Sequence, residues 1–203
     1  MIRGACVCCL VFVSVGMSGE KDNPAKPARN EELRRELLRR VKEDQDIRKE
    51  VLKAGSGETA SRKMMEIDRK NTTRMKEILD QHGWPGKSLV GVDGAHAAWL
   101  LVQHADRDRE FQKRCLKLLE KAVKADEAAG IDLAYLTDRV RVAENKKQVY
   151  GTQFEVKDGK LAPYPIEDEK NVDRRREEVG LPNLAEYRKT LEEVYKPKTG
   201  KER

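Results

Sequence analysis

Residues 93–106 read DGAHAAWLLVQHAD, and from Gly94 to Ala105 no Lys, Arg, Asp or Glu occurs, in a 203-residue chain of which 38% is charged. A run of that length without formal charge predicts a helix buried on nearly every side. It nevertheless carries His96 and His104, two of the three histidines, with Gln103 beside the second. Polar side chains are costly to bury unless they are hydrogen-bonded, so partners for them are expected on other elements. On a helical wheel His96 and Gln103 lie about 20° apart and His104 about 80° from His96, so the two histidines look in different directions.

Helical patterns flank this segment on both sides. Asn30 is a suitable N-cap for a helix from Glu31 to about Ala54, stopping at Gly55. Leu33, Leu37, Leu38, Val41, Ile47, Val51 and Leu52 fill one arc of it, and Asp44 and Arg48 fall inside that arc with Gln45 at its edge. A second helix, Glu58 to His82, has the stripe Met64, Ile67, Met75, Ile78, Leu79 and His82, interrupted on the core side by Asp68 and Asn71. Trp84-Pro85-Gly86 breaks the chain, and Ser88 to Val92 leads to Asp93 as N-cap of the central helix. A fourth helix from Asp108 to Ala129 shows the clean stripe Phe111, Cys115, Leu118, Leu119, Ala122 and Val123, ends at Gly130, and reads as scaffold.

After Gly130 the pattern changes. Ile131 to Asp138 reads as a short apolar turn or helix, Arg139 to Val142 as a strand, and Gln148 to Val156 as another, with Asp158-Gly159 as a hairpin turn before Leu161. In the middle strand Gln148, Tyr150, Thr152, Phe154 and Val156 share one face, with Gly151 and Gln153 on the other. A short helix from Val172 to Val179, in which Arg174-Arg175-Arg176 reads as a solvated face, is closed by Gly180. Asn183 and Glu186 open a last helix to about Tyr195. The expected fold is α+β and predominantly helical: a four-helix N-terminal layer, a small antiparallel β-ribbon and two C-terminal helices. An all-helical bundle with the ribbon as a flap is the alternative.

The ends read differently. Residues 1–18 look like an export signal, with Arg3 before the apolar run Ala5 to Val15 and the small residues Gly16 and Ser18 after it. Residues 19–29 form a polar linker with two prolines, residues 30–196 one globular domain, and 197–203 a frayed tail. Cys6, Cys8 and Cys9 lie in the leader, so a mature chain keeps only Cys115 and can form no internal disulfide. The expected location is extracytoplasmic, periplasmic or secreted, with no membrane contact beyond the leader. Net charge is +6, but 42 basic residues are mixed with 36 acidic ones and no basic run is interleaved with aromatics. No nucleic-acid partner is therefore expected.

The segments DQDIR (44–48), GWPG (83–86), AWLLVQHAD (98–106), AYLTDRV (134–140), QVYGTQ (148–153) and VDRRR (172–176) together resemble a bacterial family known as domain of unknown function 6624. The resemblance runs in order over most of the chain after the linker and brings no activity, cofactor or functional residue with it. One departure is Glu144-Asn145-Lys146, where a glycine turn would be expected.

Each polar residue at a core-like position has an architectural reading. Asp44 and Arg48 can be an i,i+4 ion pair, Asp138-Arg139 a loop-fixing pair, and the amides of Gln148 and Gln153 a satisfied edge strand. The spacing of His96 and His104 is wrong for two metal ligands on one helical face, and no metal or cofactor is implied. Taken together, Asp44, Gln45, Arg48, Asp68, Asn71, His96, Gln103, His104, Asp138, Arg139, Gln148, Tyr150, Thr152 and Gln153 suggest one polar cleft that binds a small polar or anionic ligand and can hydrolyse it. His104 would be the acid/base, Asp44 its partner, and Arg48 or Arg139 the holder of an anionic group. The rival reading is a non-enzymatic structural or protein-interaction module whose polar network only fixes the core.

Overall fold

The computed structural model describes residues 28–53, 57–157 and 160–195. The leader, nearly all of the linker, the Gly55 stop, the Asp158-Gly159 turn and the tail lie outside the described residues. Seven α-helices and one two-stranded antiparallel sheet make up the described fold, a mostly helical α+β arrangement. Their order is α1 (Glu31–Lys53), α2 (Glu58–His82), α3 (Lys87–Gln103), α4 (Arg109–Lys124), α5 (Gly130–Ala143), β1 (Phe154–Lys157), β2 (Lys160–Pro163), α6 (Val172–Glu178) and α7 (Leu184–Val194).

Helix α3 is the centre. It packs against α1, α2, α4 and α5, and from Gly94 to Ala105 every residue but His96 is buried. Its small residues permit this: Ala95, Ala97 and Ala98 let neighbouring helices approach closely, and a Cβ on Gly94 would sit 2.8 Å from that of Val90. Around it gather Leu33 and Leu37 of α1, Met75, Ile78 and Leu79 of α2, Phe111, Cys115 and Leu119 of α4, and Leu136 and Val140 of α5. Burial pushes the Cys115 thiol up to about 12, so this cysteine is a packing residue. A smaller core of Phe154, Leu161, Tyr187 and Leu191 joins the ribbon to α7, with Tyr135 packed against both clusters.

Asn30 caps α1 as expected, its Oδ1 accepting from Leu33 N at 3.0 Å, and Asn183 does the same for Glu186 N at 2.9 Å. Other expectations are corrected. A short helical turn from Lys87 runs into a break at Gly91 (φ +76°, ψ 169°), and the buried helix restarts beyond it, so Asp93 lies in its first turn, one or two residues past the break, and pairs with Arg34. Helix α4 stops at Lys124, and Gly130 begins α5 rather than ending α4. The segment read as a strand at Arg139–Val142 is the last part of α5. The β-branched Val140 and Val142 favour strands only weakly, and packing on α3 and α4 overrides that preference.

The ribbon is shorter than expected. Gln148 makes only an isolated parallel bridge with Ile166, and residues 149–153 are irregular, with Gly151 at φ +67° against Ile166 and Leu184. Regular pairing starts at Phe154 opposite Pro163, and Val156 is exposed rather than on the core face. Leu52 and His82, both assigned to core stripes, are exposed as well. At the departure from the family pattern, Asn145 takes the left-handed conformation itself (φ +59°), which asparagine tolerates better than most residues.

The close packing of α3 sets a test. Ala98→Leu should lower unfolding free energy by about 1–3 kcal/mol through overpacking, whereas Val156→Thr on the exposed ribbon face should stay within ~0.5 kcal/mol of wild type. Urea denaturation of the two variants checks the contrast.

Candidate functional site

The site is assembled where α1 and α2 meet the end of α3. The i,i+4 pair Asp44 and Arg48 projects inward from α1, and both side chains are buried. Arg48 Nη2 lies 3.1 Å from Asp44 Oδ1 and 2.6 Å from Asp68 Oδ1 of α2. Gln45 Nε2 donates to Asp44 Oδ2 at 2.8 Å. His104, just past the last turn of α3, places Nδ1 at 2.9 and 3.0 Å from the two Asp44 oxygens.

Protonation follows from these contacts. Burial raises the Asp44 carboxyl, but the His104 ring, Arg48 and Gln45 outweigh it and hold the group at about 2. Burial, with help from Arg48, lowers His104 below the usual histidine range, and Asp44 only partly offsets this. At neutral pH an ionised Asp44 thus faces a neutral imidazole. A carboxylate can only accept, so Nδ1 carries the proton and donates it to Asp44. The approach of Arg48 Nε to Nδ1 at 3.1 Å is then a contact, and Nε directs its hydrogen to Asp44 Oδ2 at 3.3 Å. Nε2 is left with its lone pair, since Asp44 and Arg48 both meet the ring at Nδ1.

Asp68 is the other titrating group. Burial raises its carboxyl to about 7; Arg48 pulls it down, but Arg48 is shared with Asp44, and the charges of Asp44 and Asp106 push it up again. The site therefore pairs a neutral imidazole with a carboxyl that exchanges its proton near neutrality.

A second group lies alongside. Asp106 takes a bidentate pair from Arg139 of α5, with Nε at 2.7 Å and Nη2 at 2.5 Å. The Asp106 side chain is half-exposed, so desolvation of its inner side raises the carboxyl only in part, and Arg139, with His104 and Gln112 contributing, holds it at about 2. Arg139 Nη1 also donates to Gln153 Oε1 at 3.3 Å, and Gln153 Nε2 donates to Thr152 Oγ1 at 3.0 Å.

The remaining residues named from sequence are elsewhere or architectural. Asp138 holds the 149–152 loop, accepting from the amides of Val149 (2.6 Å), Tyr150 (3.1 Å) and Thr152 (2.9 Å) and from Thr152 Oγ1 (3.0 Å). Gln148 ties the same loop down through Gln153 O, Tyr164 O and Gln153 N. Tyr150 is half-buried, and its carbonyl accepts from Arg176. Asn71 sits with Arg40. His96 pairs with Asp132 at 2.9 Å and stacks on Trp99, away from His104 as the wheel predicts. Gln103 Oε1 is buried without a partner among the described residues.

Sequence reasoning passed over four participants. Asp106 closes the quoted AWLLVQHAD segment and is not among the site residues that the sequence suggests. Gln112, on the helix read as plain scaffold, donates to the carbonyls of Val102 (3.2 Å) and Gln103 (3.1 Å); its place three residues before Cys115 on the buried stripe was the signal. Asp132 is buried under His96. Arg176 belongs to no solvated face: it is fully buried, donates to the carbonyls of Pro182 and Tyr150, and lies 5.0 Å from the Tyr187 ring. Its i,i+4 relation to the buried Val172 was the clue. Among the described residues no three His, Cys, Asp or Glu side chains are grouped to hold a metal ion.

The chain belongs to the family of unknown function DUF6624, whose model matches residues 31–200. No curated protein and no solved structure matches it.

The Asp68 carboxyl gives a pH test. Its folded value is raised above the unfolded one, so its contribution is fully present below about pH 4 and is lost as pH rises towards 7. Asp44 and Asp106, held low, stay ionised throughout pH 5–8. Asp68→Asn should therefore gain stability relative to wild type between pH 5 and 8, on the order of 2–4 kcal/mol, measured by urea unfolding at each pH. A constant difference would show that Asp68 titrates normally.

Proposed function

For a member of a family whose function is not known, we propose an acid–base site that binds a small polar ligand and transfers a proton to or from it, with hydrolysis as the simplest reaction. The observation that carries this reading is the state of His104: Nδ1 is held by a buried, ionised Asp44, and Nε2 is left with its lone pair. An imidazole fixed in that tautomer is a general base whose conjugate acid Asp44 stabilises. Asp68, joined to the pair through Arg48, supplies the complementary acid, because a carboxyl raised to about 7 can give up a proton at neutral pH. In hydrolysis Nε2 takes a proton from water as its oxygen attacks, and Asp68 returns one to the leaving group.

A module without catalysis is the second reading, and one observation favours it. Both guanidinium groups are already paired inside the protein, Arg48 with Asp44 and Asp68, Arg139 with Asp106, as a network that only fixed the core would require. The apolar run behind Arg3 supports an exported chain in either case. Sequencing the N-terminus of the exported product should find cleavage near Ser18.

Two measurements separate the readings. Nitrogen-15 NMR of the imidazole should show a protonated Nδ1 and an unprotonated Nε2 near pH 7; protonation at Nε2 would remove the base. His104→Gln should melt level with wild type or higher, since residues kept for function rather than stability are often replaced without loss. Gln153→Ala should lose about 1–3 kcal/mol by orphaning its buried partners. Equal losses at both positions would make the network architecture.

A further inference from the structure

The ribbon leaves one sheet edge open at the surface. Tyr164 N donates to Gln153 O at 3.1 Å, directly across the register that pairs Phe154 with Pro163 and Val156 with Leu161. Hydrogen-bonded pairs alternate along an antiparallel ladder, so Glu155 and Lys157 bond to β2 while Phe154 and Val156 turn their N–H and C=O groups outward. Among the described residues no strand pairs with that outer edge. The outer edge of β2 carries Pro163, which has no N–H to offer, and β1 is left as the strand that can be extended. Val156, at the centre of the edge, is 51% exposed, and Val194, one turn past Leu191 on the α7 stripe that meets the ribbon, is 44% exposed.

We infer that β1 pairs with β1 of a second copy of the chain, antiparallel about a two-fold axis at Val156, so that two ribbons join into one sheet in the order β2-β1-β1-β2. Neither the surface nor the pairing depends on the acid–base site.

Charge decides the occupant and the register. Within one ribbon Lys157 stands directly opposite Lys160, and neither Glu155 nor Lys157 has an ion-pair partner among the described residues. Like charges directly across a ladder are destabilising and opposite charges stabilising. In the self-paired register Val156 meets Val156 of the second copy, each donating its N–H to the other's C=O, and on either side Glu155 falls opposite the second copy's Lys157. Each Lys157 thereby gains a carboxylate that offsets Lys160. A slip of two residues, the smallest that keeps the outward groups facing one another, sets Lys157 against Lys157 or Glu155 against Glu155. A two-stranded ribbon is marginal in water by itself, and further strands steady it. The edge is only four residues long, so the buried area falls well short of the roughly 1,200 Å² of a stable complex, and the pairing is weak and concentration-dependent. At micromolar concentration the chain is therefore monomeric.

The test is NMR and sedimentation equilibrium of the full chain at low ionic strength, from micromolar to millimolar concentration. Reversible dimerisation is expected, with amide shifts centred on residues 155–157. In a mixture of labelled and unlabelled chains, an intermolecular contact should join the Hα protons of Glu155 and Lys157, the close pair of this register. Val156→Pro removes the outward N–H without touching the ladder to β2, and should abolish association with the circular dichroism unchanged. Glu155→Lys alone and Lys157→Glu alone should each weaken dimerisation roughly tenfold, and an equimolar mixture of the two chains should restore it. Association that survives Val156→Pro, or equal dimerisation of the two charge variants alone and mixed, overturns the inference. So does a chain that stays monomeric at millimolar concentration; if its 155–157 amides then shift with the added peptide Thr-Val-Thr-Val-Thr, the edge takes a foreign strand instead.

Discussion

A helix buried on every side cannot leave its last turn open. The last turn of α3 is only partly closed by backbone, through His104 N on Leu100 O (3.2 Å) and Ala105 N on Val102 O (3.0 Å). Gln112 supplies two hydrogen bonds, to Val102 and Gln103, from a helix that otherwise contributes only apolar contacts there. Immediately beyond, His104 and Asp106 leave α3 as polar side chains in a crowded place, and each must be met by an element already packed on α3. Asp44 of α1 meets the first and Arg139 of α5 the second. The site is thus a consequence of where the central helix ends.

That origin explains why the two flanking ion pairs differ. Asp44 and Arg48 come from one helix and are buried together, so their pairing is set by the i,i+4 spacing of α1 itself. Pairs of this kind rarely add net stability, because desolvation cancels most of the attraction. Keeping one at full burial beside a histidine is easier to understand as setting the state of the ring than as holding α1 in place. Asp106 and Arg139 instead join a loop to α5, and through Gln153 they reach the segment that Asp138 organises with four hydrogen bonds. Neighbouring residues on α5 thereby do separate jobs: Asp138 shapes the loop, and Arg139 binds that loop to the end of α3.

Much of this was legible in sequence because the signals were local. The uncharged run 94–105 announced the central helix, and a carboxylate and a guanidinium at i,i+4 on an apolar arc announced α1's half of the site. His96 and His104 were separable by wheel angle alone, and they do serve different partners. What failed depended on packing at a distance. Val140 and Val142 suit a strand by themselves and become helical because α5 lies against α3 and α4. Arg176 looks like surface in the run Arg174-Arg175-Arg176, and only the loop carbonyls of Tyr150 and Pro182, remote in sequence, explain its burial. Asn71 had the right periodicity for the site but sits further along α2, where Arg40 takes it.

Sequence also cannot rank charges that it can only count. Arg48 and Arg139 suggested a grip for an anion because an arginine at a core-like position has to face something. Each of them faces aspartate, and the carboxylates are the outer members of both pairs. The same residues with exposure reversed, arginines outward and aspartates sealed, would make a phosphate or carboxylate site with nearly the same net charge. Asp68 stands at the rim sharing a single guanidinium with the buried Asp44, so its charge is the least compensated in the cluster. The electrostatic character of the cluster follows from the order in which its charges are buried, more than from their number.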